Sequence, residues 1–498
     1  MISKTERQAL GASKWAKAGG KGTLLYYMRF GKTISGITIA QRVLAKDATR
    51  SAIIAVPSEI VKGVWETALK VYAQTNTIDL TRIKILTIHQ FAEYDGINTA
   101  NCTLLIVDEI HMFCSPKGRM IIDKTNCNYK FILGLTGTFP VGEPAMFLYN
   151  WCPIIDSIPK EVAIANGWIA TTMEYNVPLQ LNVTDIDRYI RHSEPISEIL
   201  DLFKGKSNLL MLRGRKMFDN DYALITGCYA GITVKALDGG SQYIHASKVR
   251  ELLAMAVGWT VTLDLNLPHN QNINVNWHPE SIKENAVQFN EHVRLRTEII
   301  NNNDIKINAA VQIFKANPVP TICFSESTEF ADRLADRIND LFPGKAICYH
   351  SNIASTHLID PITGLFITYK NGKIKMFGKD KLKQRAIEGL RSGEFWFLST
   401  VRAVDQGLDV PEIAQVIIAS GTLNPLQHAQ RSARASTIDI KNINKVALII
   451  NLYFNDMFDS NNKLYLCRDK IKLRARQVNS RNEVHWLSDV DNFIHEFI

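Results

Sequence analysis

Thr23-Leu24-Leu25-Tyr26-Tyr27-Met28-Arg29-Phe30-Gly31-Lys32-Thr33 is the stretch on which the reading of this chain turns. The apolar run over 23–28 reads as a buried strand, and a helix-like pattern opens after it. Gly31-Lys32-Thr33, between the two, is the core of a phosphate-binding loop. Such a loop offers backbone N–H groups, an ammonium and a hydroxyl to a polyphosphate. The glycine that opens the full pattern is replaced here by Tyr26. Alone, the tripeptide is an ordinary helix start; the strand before it and the helix after it give it meaning.

Its counterpart is Leu104-Leu105-Ile106-Val107-Asp108-Glu109-Ile110-His111. Four apolar residues place two carboxylates at the end of a buried strand. Asp108, with the Thr33 hydroxyl, suits Mg²⁺; Glu109 suits the orientation or deprotonation of water. The pairing implies hydrolysis of a nucleoside triphosphate, with ATP and Mg²⁺ as the expected ligands. His111 is placed to relay the state of the nucleotide. Thr136-Gly137-Thr138 follows the apolar run 131–135 and is otherwise a plain turn.

Apolar runs at 23–28, 52–56, 83–87, 104–107 and 131–135 alternate with helical patterns, which predicts a parallel α/β sheet. Ligands of such sheets gather at the carboxyl ends of strands, where Lys32, Asp108 and Thr136 all fall. A second alternation begins at 321–325 and continues through 346–349, 395–398, 416–419 and 446–450. The expected organisation is a first α/β domain over 1–150, a connector over 151–174 with a hinge at 167–170, and an accessory or insertion region over 175–300. A second α/β domain over 301–460 and a basic C-terminal extension over 461–498 complete it. Within the second domain, 365–377 reads as a β-hairpin around Asn371-Gly372.

The 498 residues, 46% hydrophobic and 21% charged, describe a globular protein with a sizeable core. No apolar run approaches the roughly 20 residues of a membrane span, and a cytoplasmic protein is expected. The eight cysteines are scattered without close pairs and read as buried thiols. A formal net charge of +8 is compatible with a polyanionic partner.

The order Gly-Lys-Thr, Asp-Glu-Ile-His, Thr-Gly-Thr resembles motifs I, II and III of superfamily 2 helicases. Residues 321–327 resemble motif IV, and 399–411 (Ser-Thr-Val-Arg-Ala-Val-Asp-Gln-Gly-Leu-Asp-Val-Pro) closely resemble motif V. Gln427-His428-Ala429-Gln430-Arg431-Ser432-Ala433-Arg434 resembles motif VI. The branch is similar to repair helicases, the motor subunit of type III restriction enzymes and phage recombination helicases; the Met-Arg-Phe-Gly-Lys-Thr form at 28–33 and the compact size suggest a phage or other viral member.

The resemblance implies two RecA-like parallel-sheet domains in tandem with ATP between them, carrying an accessory insertion and the β-hairpin insertion. Arg7 and Gln8 resemble the upstream pair that reads adenine. Arg29, Phe30, Gly31, Lys32 and Thr33, with Gly407 and Asp409 of motif V, are expected at the nucleotide. Pro57, Ser58 and Thr87 on the first domain, and Ser325, His350, Ser351, Ser399 and Thr400 on the second, are expected on a nucleic-acid backbone. His111, Thr136, Gly137 and Thr138 couple the two events. Motif VI departs from its usual Gln-Arg-x-Gly-Arg-x-x-Arg form. Aligned on Gln430-Arg431, Ala433 stands for glycine and Thr437 for the last arginine. Arg434 is then the expected arginine finger and Arg431 the second choice.

The expected partner is nucleic acid, DNA rather than RNA, and the expected activity is that of an ATP-driven helicase or translocase. Lys370, Lys373, Lys375, Lys379, Lys381 and Lys383 lie on or after the hairpin. Lys470, Lys472, Arg474 and Arg476 alternate as if along a strand face. Each set could meet phosphates. The alternatives are an ATP-dependent remodeller or viral transcription factor with little strand separation, a genome-packaging ATPase, which would lack motifs V and VI, and an inactive scaffold.

Overall fold

The structure, a computed structural model, describes residues 2–93, 102–114, 118–119, 129–140, 142–202, 231–235, 241–245, 279–350, 356–357, 376–377, 379–401, 410, 412–422, 425–438, 442, 444–477 and 484–497. It divides into two compact units: residues 1–177 with 307–453 and 473–498, and residues 178–306 with 454–472.

The first unit contains both expected sheets. Strands β1 (Lys21–Tyr26), β2 (Ser51–Val56), β3 (Ile83–Thr87), β4 (Cys102–Asp108), β5 (Phe131–Thr136) and β6 (Ile154–Ile158) form a six-stranded sheet ordered β3-β2-β4-β5-β1-β6. All neighbouring pairs are parallel. Apolar groups cover both faces, so β4 needs an unbroken apolar run rather than alternation. Leu104 and Ile106 pack on one side with Ile37 and Trp65. Leu105 and Val107 pack on the other with Phe113 and Leu148.

Helix α1 (Lys4–Lys17) starts at a capping box between Ser3 and Glu6. Helix α2 (Lys32–Leu44) follows β1, and helix α3 (Glu59–Thr75) follows β2.

The second sheet has seven strands, in the order Ala346–Tyr349, Phe397–Val401, Thr321–Ser325, Gln415–Ile418, Val446–Phe454, Thr171–Leu179 and Val484–Trp486. Helix Thr328–Leu341 buries Phe330, Ala331, Leu334, Ala335 and Ile338, one stripe at helical spacing.

Three expectations are corrected. The segment taken as a connector supplies β6 to the first sheet and the first four residues of Thr171–Leu179 to the second. The polar residues Asp156 and Glu174 within it, and Asn176 just after it, break the apolar pattern, yet all three have partners inside the fold. The expected hinge is packed rather than open: Trp168, Ile169 and Ala170 are buried, and the Ala170 N–H donates to the Ser436 carbonyl over 2.9 Å. The basic stretch read as a strand is the helix Lys470–Gln477. Two of its cations are buried and paired, Lys472 with Asp456 at 2.5 Å and Arg474 with Glu174 at 3.2 Å.

The second unit pairs two long helices, Val183–Leu202 and Pro279–Asn301, and holds an antiparallel hairpin of Gly231–Lys235 with Ser241–His245. Lys306 and Asp469 form a fully buried ion pair of 2.7 Å within it. Of the hairpin expected over 365–377, only Met376–Phe377 is described, paired antiparallel with Thr356–His357. Its turn and Lys370, Lys373 and Lys375 lie outside the described residues, as does the Gly239-Gly240 pair. No described helix is long and apolar enough to cross a membrane.

Candidate nucleotide site

The loop after β1 turns through two left-handed residues, Arg29 (φ 68°) and Gly31 (φ 98°), and enters α2 with Lys32 as its first residue. The left-handed φ favours glycine at 31, and a Cβ there would lie 2.6 Å from Gln8 Nε2 and displace that amide from the loop. The amides of the loop and the positive end of α2 therefore meet where Lys32 and Thr33 stand.

Helix α1 fixes the loop from outside. Gln8 Nε2 donates to the carbonyls of Phe30 (3.3 Å) and Gly31 (3.2 Å). Lys4 Nζ donates to those of Arg29 (3.0 Å) and Trp168 (3.1 Å). Arg7 makes a bidentate pair with Asp156 at 2.6 and 2.9 Å, which Lys14 and the Tyr26 hydroxyl share. The sequence assignment of these residues to the base is thus redirected: Arg7 anchors α1 to β6, and the Gln8 amide holds the loop. Phe30 is fully buried, edge-on to Tyr26 and Trp168, and is a core residue.

The carboxylates sit at the end of β4. Asp108 is buried; its Oδ2 accepts the Trp65 indole N–H at 2.8 Å and its Oδ1 the Glu109 N–H at 3.0 Å. Burial, and then the charge of Glu109, push the Asp108 carboxyl up to about 6. Glu109 adopts φ 49°, a left-handed conformation that turns its side chain to Lys32, 3.2 Å away. Burial works to raise its carboxyl, but Lys32 and His111 outweigh burial and hold it at about 2.

His111 Nδ1 stands 2.9 Å from Thr136 Oγ1 and 3.3 Å from Glu109 Oε2. The Thr136 hydroxyl donates to the Thr138 carbonyl, so Nδ1 is the donor toward Thr136. A Cβ on Gly137 would come within 2.9 Å of Lys32 Nζ. His111, Thr136 and Gly137, expected from the sequence to couple, therefore lie against Lys32 and Glu109.

Across from them, the helix Pro425–Ser432 and the turn after it bring Gln430, Ala433, Arg434 and Thr437 to the same cleft, of about 460 Å³. Gln430 comes from the last turn of the helix, and Ala433, Arg434 and Thr437 from the turn that follows it. Arg431 points the other way. It is fully buried, donates to the Ser420 carbonyl and to Glu326, each at 3.1 Å, and lies over the Phe324 ring. Its place as second choice for the finger is corrected: it holds the helix to the sheet.

Residues 305–438, which hold this wall of the cleft, match the family described as helicase conserved C-terminal domain. That segment, just over a quarter of the chain, is similar to helicase C-terminal domains. The wider chain is similar in structure to a fragment of a putative HsdR subunit of a type I restriction enzyme from Vibrio vulnificus YJ016. That likeness has 12% identity and a TM-score of 0.47, and covers 90% of this chain and 63% of that one. The Hef helicase domain of Pyrococcus furiosus gives 14% identity and a TM-score of 0.47 over 90% of this chain and 94% of that one. The DUF1998 helicase MrfA bound to DNA gives 12% and 0.47 over 96% and 52%. The chain thus spans under two thirds of the restriction-subunit fragment and about half of MrfA. No curated protein sequence matches it.

Other expected contacts fall differently within and beside the helicase domain. Pro57 lines the nucleotide cleft. Ser58 caps α3, and Thr87 caps the short helix Ile88–Ala92 through a capping box with Gln90. Ser325, Ser399 and Thr400 are fully buried in the second sheet. Ser325 donates to the Ser327 carbonyl and Thr400 to the Tyr349 carbonyl. These hydroxyls are not presented to a backbone, because the central strands that carry them are covered on both faces. His350 is buried and faces Asp332. Ser351, Gly407 and Asp409 lie outside the described residues.

Sequence reasoning missed Trp65, Lys4 and Asp156. A tryptophan in an amphipathic helix reads as core, and nothing local shows that its N–H reaches a carboxylate 43 positions away. A carboxylate inside the apolar run 154–158 was a legible sign of a buried partner.

Proposed function

We propose that the protein is an ATP-dependent nucleic-acid helicase or translocase acting on DNA, in a viral recombination, repair or replication role. One observation carries the reading: the phosphate loop and paired carboxylates of the first sheet share a single cleft with Arg434 of the helicase C-terminal domain.

The residues fit ATP with Mg²⁺. Loop amides, Lys32 and the N-terminus of α2 suit the phosphates; Thr33 and Asp108 are oxygen donors suited to a hard cation; and Glu109 Oε2 is buried with only the ion-pair contact to His111 among the described residues. The bound metal would supply charge neutralisation at the phosphates.

Lys32 has two possible partners, Glu109 or a phosphate. While it pairs with Glu109, the carboxylate is a weak base. Turning the ammonium to a phosphate releases Glu109, whose affinity for a proton then rises. Arg434 reaches the cleft from the other sheet, so charge developing between the sheets draws them together and its loss lets them part. This couples hydrolysis to relative motion of the two sheets.

ATP hydrolysis by the purified chain tests this, with no nucleic acid, single-stranded, duplex and forked DNA, and RNA, beside Lys32→Ala. Stimulation by DNA that vanishes in Lys32→Ala supports the motor. Thr437, in the place of an arginine, favours a second reading, a nucleotide-gated remodeller. Nucleotide binding without hydrolysis or strand separation would select it.

A further inference from the structure

We propose that Asp332, Cys348 and His350 form a binding site for a divalent metal ion of the zinc type, at the edge of the second sheet and apart from the nucleotide cleft. Cys348 lies on the edge strand Ala346–Tyr349 and His350 follows it, two positions on, so both side chains leave the same face. Asp332 comes from the helix Thr328–Leu341, which packs on that strand. One ligand atom from each of the three lies within 4.8 Å of the others.

His350 Nε2 is 2.8 Å from Asp332 Oδ1, and the Cys348 thiol, which donates weakly to the Ala331 carbonyl at 3.3 Å, also interacts with Asp332. A second carboxylate, Asp336, stands one helical turn beyond Asp332 and acts on the same thiol. His350 itself is 2% exposed, and its Nδ1 is buried with no hydrogen bond among the described residues. A buried imidazole whose Nε2 faces a carboxylate, beside a thiol and a second carboxylate, brings nitrogen, sulfur and oxygen donors together as a cation site needs.

The donor set chooses the ion. Sulfur and imidazole nitrogen are poor ligands for Mg²⁺ or Ca²⁺, whereas one sulfur, one nitrogen and one carboxylate oxygen suit four-coordinate Zn²⁺ with the fourth position open. On binding, the Cys348 thiol gives its proton to solvent and the sulfur bonds as thiolate. Since Thr400 Oγ1 donates to the Tyr349 carbonyl at 2.7 Å, an ion here would tie the helix to the end of the strand beside motif V.

The test uses the full chain, stripped with a chelator and titrated with Co²⁺ and then Zn²⁺. The expected result is one equivalent of Co²⁺ with a thiolate-to-cobalt band in the near ultraviolet and tetrahedral visible bands, all displaced by Zn²⁺. Cys348→Ser should abolish the near-ultraviolet band, and Asp332→Asn should weaken binding by at least about tenfold. Absence of the band, or its persistence in Cys348→Ser, overturns the proposal and leaves a plain histidine–aspartate hydrogen bond. Should Cys348→Ser fail to fold, Asp332→Asn decides, because the Asp332 side chain is 55% exposed and its loss leaves no buried hole. Unchanged Co²⁺ affinity in that variant overturns the proposal equally.

Discussion

Trp65 donates its indole N–H to Asp108 over 2.8 Å, deep beneath the nucleotide cleft. The bond joins α3, the helix that opens at Pro57-Ser58, to the carboxylate proposed to hold Mg²⁺. A Cβ on Gly36 of α2 would lie 2.6 Å from the Trp65 ring, so α2, α3 and β4 are locked together at this point.

Trp65→Phe keeps an aromatic ring in the core and removes the donor, together with part of the volume of a fully buried side chain. A hydrogen bond to a charged group contributes about 1.5–3 kcal/mol. The variant should still bind nucleotide, but ATP turnover at limiting Mg²⁺ should fall roughly tenfold or more and recover as Mg²⁺ is raised. A Mg²⁺ titration of hydrolysis checks it. An unchanged Mg²⁺ dependence would show that the bond only supports packing.

Arg431 and Arg434, three residues apart, should fail in opposite ways. Arg431→Ala removes a fully buried cation with its bonds to the Ser420 carbonyl and to Glu326, a loss of about 3–5 kcal/mol, visible as a lowered melting temperature. Arg434→Ala should cost less stability than Arg431→Ala and should lower nucleic-acid-stimulated turnover by about a thousandfold. Thermal unfolding and ATPase rates of both variants separate the roles. Full turnover in Arg434→Ala would remove it from the chemistry.

Asp156 gives the fold a pH dependence. Burial tends to raise its carboxyl, but Arg7, Lys14 and the Tyr26 hydroxyl outweigh that and bring it below its usual 3.8. The folded state therefore favours the ionised form. Its contribution is fully present above the unfolded value and is lost as pH falls through the folded one. Asp156→Asn should destabilise the protein at pH 7 by about 3–5 kcal/mol, and the gap from wild type should close as pH drops below about 4. Melting temperatures across that range decide it; a constant gap would place the effect in packing alone.

Much of the first sheet was legible because a strand covered on both faces must be apolar throughout, as β4 is at 104–107. Strand Thr171–Leu179 was not, because Glu174 and Asn176 interrupt it. They are tolerated there because Asn451, His428 and Arg474, from three distant parts of the chain, meet them. The same limit governs the site. Lys32, Asp108 and Glu109 stand at strand ends that a local pattern reveals, whereas a serine such as Ser399 looks alike in sequence whether it faces a phosphate or the core.

The sequence by itself determined two parallel sheets, the phosphate loop and the acidic pair, since periodicity and loop chemistry are local. Only the tertiary structure decided that Arg434 faces the cleft while Arg431 is sealed within the sheet. It also decided that Trp65 grips Asp108 and that His350 turns toward Asp332 and Cys348. Each of these depends on which elements pack together. The partner of a buried polar group is chosen by that packing, and nothing in its own neighbourhood of the chain names it.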